Sequence, residues 1–488
     1  MKIWKHAVFV LSLFLCALVL PACGENQPPP EETGNVLIYA ALNPISKETQ
    51  KSINLFNSKH TDIQIEVCDY SDEGGLERLQ TELVLGKVPD IMEMHCFGKA
   101  GSIVSNATFD NYIALPGIHA EAADEYWMPY RQMVQKGYLE NLWPYIESDP
   151  DLGKDGVLHP PLKASEIGDG LYILFKNTAI FTLTGRASVV GNRYSWTMED
   201  IKEVLAGMPE GSTIMRYNMT RRDAFFNLLR FSLDRFVDWD TGICHFNSEG
   251  FHELVQFLET FPDEVDYEDP IAAEDEVIHK IRDGKQMLEG NMIIWQKEIG
   301  ISDAIWQERA AFPGYPTSDG SSGSFFYPLG TILSMSAVCR NKDAAWEYIR
   351  GLIRPLATGQ KPLTAYIPIN LHDFEMILWG ELRQQDKFVE KLGILDDPKL
   401  FHKSDNPIFS ENHFTYGPAV HLMDLLTEED TQRYTDLIDH TTQLYWPNDD
   451  LSNIVWETLG PYFAGDWTLD HTIEMVQNRV QLYVDEQR

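Results

Sequence analysis

Val36 to Ala41 (VLIYAA) is an unbroken apolar run of strand length, the pattern of a strand covered on both faces. From Ile45 to Lys59, the residues Ile45, Ile53, Leu55 and Phe56 share one helical side, and Ile63 to Cys68 (IQIEVC) alternates as a second strand. Leu76 to Leu85 has helical spacing and is stopped by Gly86-Lys87-Val88-Pro89; Asp90 to Met94 then forms a third short strand. Strands separated by helices predict parallel pairing through crossover connections, hence an α/β fold. In such sheets ligands bind beyond the carboxyl ends of the strands. That rule places Tyr39 to Asn43 and His95 to Gly98 beside a cleft.

Further along, Leu171 to Thr184 (LYILFKNTAIFTLT) is a long β-rich run, and Thr197 with Asp200 forms a capping-box-like helix start. Phe225 to Phe236 reads as an aromatic helix, and Asn291 to Gln296 as a buried strand. Pro316 to Ser324 (PTSDGSSGS) is a flexible turn that leads into a strand over Phe325 to Val338. Helices follow over Ala344 to Ile353 and Leu469 to Glu486, the last with Ile473, Val476, Val480 and Tyr483 on one face. No solenoid-period repeat is present.

The amino terminus carries a different pattern. Lys2 and Lys5 precede an apolar run from Ala7 to Leu20, shorter than the roughly 20 residues a spanning helix needs. This is the form of a signal peptide, residues 1–22. Leu20-Pro21-Ala22-Cys23 followed by Gly24 resembles the bacterial lipobox, which implies lipidation of Cys23; cleavage after Ala22 with an unmodified cysteine is the alternative. Residues 23–34, including ENQPPPEETG, form a lipidated start and an extended, solvated tether.

Charge and composition narrow the function. Lys and Arg number 39 against 74 Asp and Glu, a formal charge of −35 over 488 residues. Such a chain lacks the basic stripe that nucleic acid requires and is repelled by anionic headgroups, so any membrane attachment comes from the lipid alone. Hydrophobic residues at 44% still suffice for large cores, and the length predicts two or more structural units.

The remaining cysteines, Cys68, Cys96, Cys244 and Cys339, have no C-x-x-C spacing and read as buried small residues, with a disulfide left open. No H-E-x-x-H, G-x-S-x-G or phosphate-binding glycine loop occurs, so neither catalytic residues nor a cofactor or metal is predicted. Asp263, Asp266 and Asp269 lack the spacing of a calcium loop and read as a solvated acidic loop. The 12 Trp and 20 Tyr are mostly core, but at strand ends they offer sugar rings an apolar platform with a polar edge.

Three blocks carry a resemblance. The first includes Ile53-Asn54-Leu55-Phe56-Asn57, His60-Thr61-Asp62-Ile63 and Gly86-Lys87-x-Pro89-Asp90-Ile91; the second runs from Gly170-Leu171-Tyr172 to Trp196-Thr197. The third combines Met292-Ile293-Ile294-Trp295, Gly314-Tyr315-Pro316-Thr317 and Asn341-Lys342-Asp343-Ala344-Ala345-Trp346-Glu347, and the ending from Tyr462-Phe463-x-Gly465 to Leu482-Tyr483 agrees. Together these resemble the family 1 extracellular solute-binding proteins of ABC importers, the group of the maltose-binding protein.

The resemblance implies two α/β lobes joined by a hinge, with the chain crossing between them: 35–165 plus 297–355, and 170–296 plus 356–488, with Leu171 to Thr184 as a crossing strand. It implies a lipid-anchored, non-enzymatic monomer on the outer face of a bacterial cell membrane. That protein would capture a solute, most readily a mono- or oligosaccharide, and present it to a membrane permease. A secreted carbohydrate-active enzyme and a solute sensor without a transporter are the alternatives. Ligand contacts implied by the matching blocks are Tyr39, Asn43, His95, Arg221, Arg222, Asp223, Trp295, Phe326 and Tyr327. The segment Phe97 to Gln135 departs from the short connection of relatives and leaves the first-lobe contacts open.

Overall fold

The computed structural model describes residues 35–96, 126–215, 218–265, 280–281, 283–354, 366–379, 409–410, 413–414, 427–446 and 449–487. The signal peptide, Cys23, the tether, residues 97–125 of the insertion, and Asp266 and Asp269 lie outside the described residues.

Strand β1 (Val36–Ala41) coincides with its apolar run. Helix α1 (Lys47–Lys59) starts where Ser46 accepts a hydrogen bond from the Thr49 amide, and it buries Ile53 and Phe56. Strand β2 (Gln64–Asp69), helix α2 (Gly75–Val84) and strand β3 (Ile91–Glu93) complete the expected alternation. β1 runs parallel to both β2 and β3, with Tyr39 opposite Val67 and Ile91. Helix α3 (Tyr130–Gln135) buries Tyr130 and Met133 in the same core.

Strand β4 (Leu174–Arg186) is a continuous 13-residue strand. Helix α4 (Met198–Ala206) begins with the reciprocal Thr197–Asp200 capping box. Trp196, just before it, is buried and donates to the Gly314 carbonyl at 2.8 Å. The expected helix over Phe225 to Phe236 is wound differently: an α-turn at Arg221–Ala224 opens into a π-turn at Phe225–Leu229 and tightens into 3₁₀ at Arg230–Phe236. Phe225, Leu228, Leu229, Leu233 and Phe236 are all buried, while Phe226 also packs on the core. No residue from Phe225 to Phe236 is fully exposed, the five polar side chains included, and tertiary packing sets the winding.

Helix α5 (Glu249–Glu259) lies beyond, followed by strand β5 (Glu289–Ile293). β5 ends earlier than its apolar run, because the chain turns there into helix α6 (Lys297–Trp306). The two-residue strand β6 (Ala310–Ala311) precedes β7 (Phe325–Met335), then α7 (Lys342–Ile349), β8 (Ile367–Pro368), α8 (Glu428–His440), β9 (Gln443–Leu444), α9 (Asp449–Phe463) and α10 (Leu469–Gln487). None of the helices described is long and apolar enough to cross a membrane.

Among the described residues one nine-stranded mixed sheet is the spine, in the order β6-β4-β7-β3-β1-β2, with β5 and β8 also on β4 and β9 on β7. Three apolar clusters hang on it. The first gathers Leu37, Ile65, Leu79, Ile91, Leu174, Phe175, Leu333 and Ile349. The second gathers Leu183, Phe225, Phe251, Val255, Val455 and Val476. The third, on the middle strands, holds Ile180, Ile293, Trp306, Phe326, Ile367 and Leu437. β4 therefore starts in the first cluster, passes the third and ends in the second.

Two local expectations are corrected. The turn after Pro316 is pinned rather than flexible: the Tyr315 amide donates to the Gly323 carbonyl at 3.0 Å, and Arg235 bonds Ser321 and the Ser322 carbonyl. A Cβ on Gly323 would sit 1.8 Å from the Tyr315 carbonyl oxygen, so only glycine fits. Cys68 is exposed, because β2 is the sheet edge and its last four residues face solvent; Cys244 and Cys339 are buried, and all three are free thiols.

The middle cluster is clasped by a buried ion pair among its own elements. Arg433 of α8 donates to both oxygens of Asp303 at 2.8 Å and to the Ala310 carbonyl at 2.8 Å, and Asp303 accepts from the Ala310 amide. Removing one partner strands the other charge, so Arg433→Leu is expected to cost about 3–5 kcal/mol. Urea denaturation measures this, and a loss below about 1 kcal/mol would refute the clasp.

Candidate functional site

The carboxyl ends of β1 and β3 meet at Glu93, which is 4% exposed. Its Oε1 accepts from the Tyr39 hydroxyl at 2.7 Å; its Oε2 accepts from the Leu42 and Asn43 amides at 2.8 and 2.9 Å and from Asn43 Nδ2 at 3.1 Å. Asn43 Nδ2 also donates to the His95 carbonyl at 2.9 Å. Burial holds the Glu93 pKa above its ordinary value, and these donors pull against it.

Three expected ligand contacts, Tyr39, Asn43 and His95, are thus brought together, but as the brace of two strand ends. Tyr39 has no exposed surface and its ring meets Tyr348 edge-on at 5.8 Å, so it offers a ligand no face. His95 is 4% exposed and continues the backbone ladder to Trp127.

Arg221, Arg222 and Asp223 stand apart, in the second cluster. Asp223 accepts from the Thr220 hydroxyl at 2.7 Å and amide at 3.0 Å, a capping box. Arg221 donates to the Leu258 and Phe261 carbonyls, pairs with Asp263 and lies 4.2 Å from the Phe463 ring. Arg222 lies over Phe226 and Trp456. These residues lash α5 and α9 to the turn between them, a structural duty that a motif match does not distinguish from ligand contact.

Trp295 is half-buried where β5 gives way to α6; its Nε1 donates to Glu298 Oε1 at 2.9 Å, and Lys297 Nζ lies 5.0 Å from its ring. Phe326 is fully buried in the middle cluster. Tyr327 belongs to an aromatic wall with Phe181 at 5.0 Å and Tyr445 at 5.7 Å.

That wall continues into the seam between the first and second clusters. Tyr445 is hung on β7 through its amide, 2.7 Å from the Phe326 carbonyl, and its ring lies 6.0 Å from Phe231. Trp446 reaches the first cluster, donating to the Met128 carbonyl at 3.0 Å and packing on Tyr130 at 5.1 Å. Arg230, Phe231, Asp234, Tyr445, Trp446 and Ser452 line a recess here, with the Arg230 guanidinium 5.0 Å from the Phe231 ring.

The recess thus presents aromatic plates with a cation, a carboxylate and a hydroxyl at its edge, a set suited to the apolar faces and hydroxyl rims of sugar rings. Its water-accessible space is only about 50 Å³, far below the roughly 300 Å³ of a small-molecule site, so entry of a ligand requires the seam to widen. A larger depression of about 670 Å³, between α4 and α5, draws its lining from the second cluster's side alone.

The sequence reading passed over Arg230, Phe231, Asp234, Tyr445 and Trp446. The signals available were the aromatic run carrying Arg230 and Asp234 four apart, and the Tyr445-Trp446 pair ahead of Pro447. Among the described residues no group of His, Cys, Asp and Glu is placed to hold a metal ion.

No family model matches the chain, and no curated protein matches it. Solved structures are similar in outline. An extracellular solute-binding protein family 1 member from Alicyclobacillus acidocaldarius is 12% identical, with 92% of this chain and 98% of that one covered at a TM-score of 0.46. The sugar-binding protein MalE from Xanthomonas citri is 13% identical, covering 93% and 98% at 0.48. A putative oligosaccharide periplasmic-binding protein from Synechococcus is 11% identical, covering 92% and 99% at 0.47. At these values no residue or role transfers, and the chemistry of the site rests on the side chains described above.

The Trp295 corner makes a pH-dependent prediction. Burial pushes the Glu298 carboxyl from 4.5 up to about 7, with the Trp295 N–H opposing. A folded pKa above the unfolded one means stability that is fully present below pH 4.5 and lost as pH rises through about 7. Glu298→Gln keeps an acceptor for Trp295 and removes the titration. It should therefore raise stability at pH 8 by about 1–3 kcal/mol, the side chain being partly exposed, and leave pH 4 unchanged. Denaturation midpoints at the two pH values measure this; equal effects at both would contradict it.

Proposed function

We propose that this chain captures a solute, a mono- or oligosaccharide, for an ATP-driven importer, and that lipid on Cys23 holds it on the outer face of the cell membrane. The observation that carries the reading is the aromatic recess at the seam. It is walled by Tyr445 and Phe231, edged by Arg230 and Asp234, and closed by Trp446 against the first cluster. A solute bridging the two sides would favour the closed arrangement over an open one, because only the closed one offers both sets of contacts. The closed form then presents a changed surface to a permease.

Binding suits this lining better than hydrolysis does. Glycoside cleavage uses a pair of carboxyl groups about 5–9.5 Å apart across the bond, and among the described residues the recess lining supplies one carboxylate, Asp234.

A thermal-shift screen of mono-, di- and oligosaccharides tests the reading, since a ligand at 100 times its Kd adds about 2.7 kcal/mol to stability. Calorimetry with the best sugar should show Tyr445→Ala weakening binding about tenfold with no product formed. An unchanged Kd, or turnover, would contradict it. For the anchor, the intact mass of the processed protein should include a lipid, and Cys23→Ala should release the protein from the membrane fraction; membrane retention of that variant would refute the anchor.

A further inference from the structure

Helix α3 touches the far side of the seam at a second place, outside the recess. Arg131 and Gln135, one turn apart on the same helical face, both meet Trp239: the Arg131 guanidinium lies 5.2 Å from the indole ring, and Gln135 Nε2 donates to the Trp239 carbonyl at 3.2 Å. Trp239 packs on the second cluster, and the turn that carries it is held by Asp238, whose Oδ1 accepts from the Asp240 and Thr241 amides at 3.1 Å. From the first cluster, α3 itself is anchored by Tyr130 and Met133. Tyr130, next to Arg131, is the residue packed on Trp446 at the recess. One short helix therefore meets Trp446 at the recess and Trp239 of the second cluster outside it, and only the first of these contacts adjoins the recess.

We infer that Trp239 is a catch, engaged by Arg131 and Gln135, that sets how far the recess is shut before any solute arrives. The contact is built to be broken. A cation over an indole face is attractive, but among the described residues the buried Trp239 Nε1 has no hydrogen-bond partner. An unpaired buried donor carries a penalty of the same order as the attraction. With these terms opposed, this contact holds the seam less firmly than its attraction alone would, and added contacts across the recess act on a catch already weakened. The role of the catch rests on the capture reading proposed above, but its mechanics do not need a ligand.

Amide hydrogen exchange of the full chain, without sugar, tests it. Arg131→Ala should speed exchange about threefold or more in residues 443–446 as well as in 130–136, Arg131→Lys should restore part of the protection, and Trp239→Ala should reproduce the loss. Faster exchange confined to 130–136 would overturn the inference, because Arg131 would then support only its own helix. If 443–446 responds while no sugar binds, the catch stands and the capture reading falls.

Discussion

The antiparallel pairing of β4 with β7 is the constraint on which the remaining structure depends. It runs from Leu174 opposite Leu333, in the first apolar cluster, to Phe181 opposite Phe325, just past Ile180 and Phe326 of the third. Its buried hydroxyls are satisfied along the way: Thr178 donates to the Tyr327 carbonyl at 2.9 Å, and Thr182 bonds Ser324 at 2.8 Å. The ladder breaks register once, between Leu329 and Ile332, where Gly330 takes a φ of 78°. A bulge there bends the pair between the first cluster and the rest. Two long strands that serve several cores at once oblige those cores to meet along a seam, and the seam is where Tyr445 and Trp446 lie.

Polar groups buried near that spine are arranged to hold geometry. Glu93 ties the ends of β1 and β3 through four donors, and Arg433 ties α8 to α6 and β6 through Asp303 and Ala310. Each is costly to break because its partners would be left buried without compensation. In the recess, Arg230 and Asp234 stand in the lining beside aromatic rings that stay half-buried.

Periodicity and capping made much of the fold legible. β1 matches its apolar run, the Thr197–Asp200 box is formed, and the β-rich run after Leu171 is the long strand that passes between clusters. The site was much less legible, for a physical reason. An apolar pattern reports that Tyr39 leaves water, and it does not report whether the ring faces a core or a cleft. Thr220-Arg221-Arg222-Asp223, matched only as a contact loop, also begins a helix with a capping box, although its Thr-x-x-Asp spacing is the same as that of Thr197 and Asp200. Tyr445 and Trp446 follow a two-residue strand that no period reveals, and their partners Phe231, Phe181 and Met128 come from distant parts of the chain.

The central claim is that a sugar binds in the seam recess and bridges its two sides. A crystal structure of the chain with the saccharide that gives the largest thermal shift tests it most directly. The account predicts a sugar ring against Tyr445 and Phe231, its hydroxyls on Arg230 and Asp234. A sugar bound elsewhere, for example in the depression between α4 and α5, with the seam recess unchanged, would contradict it.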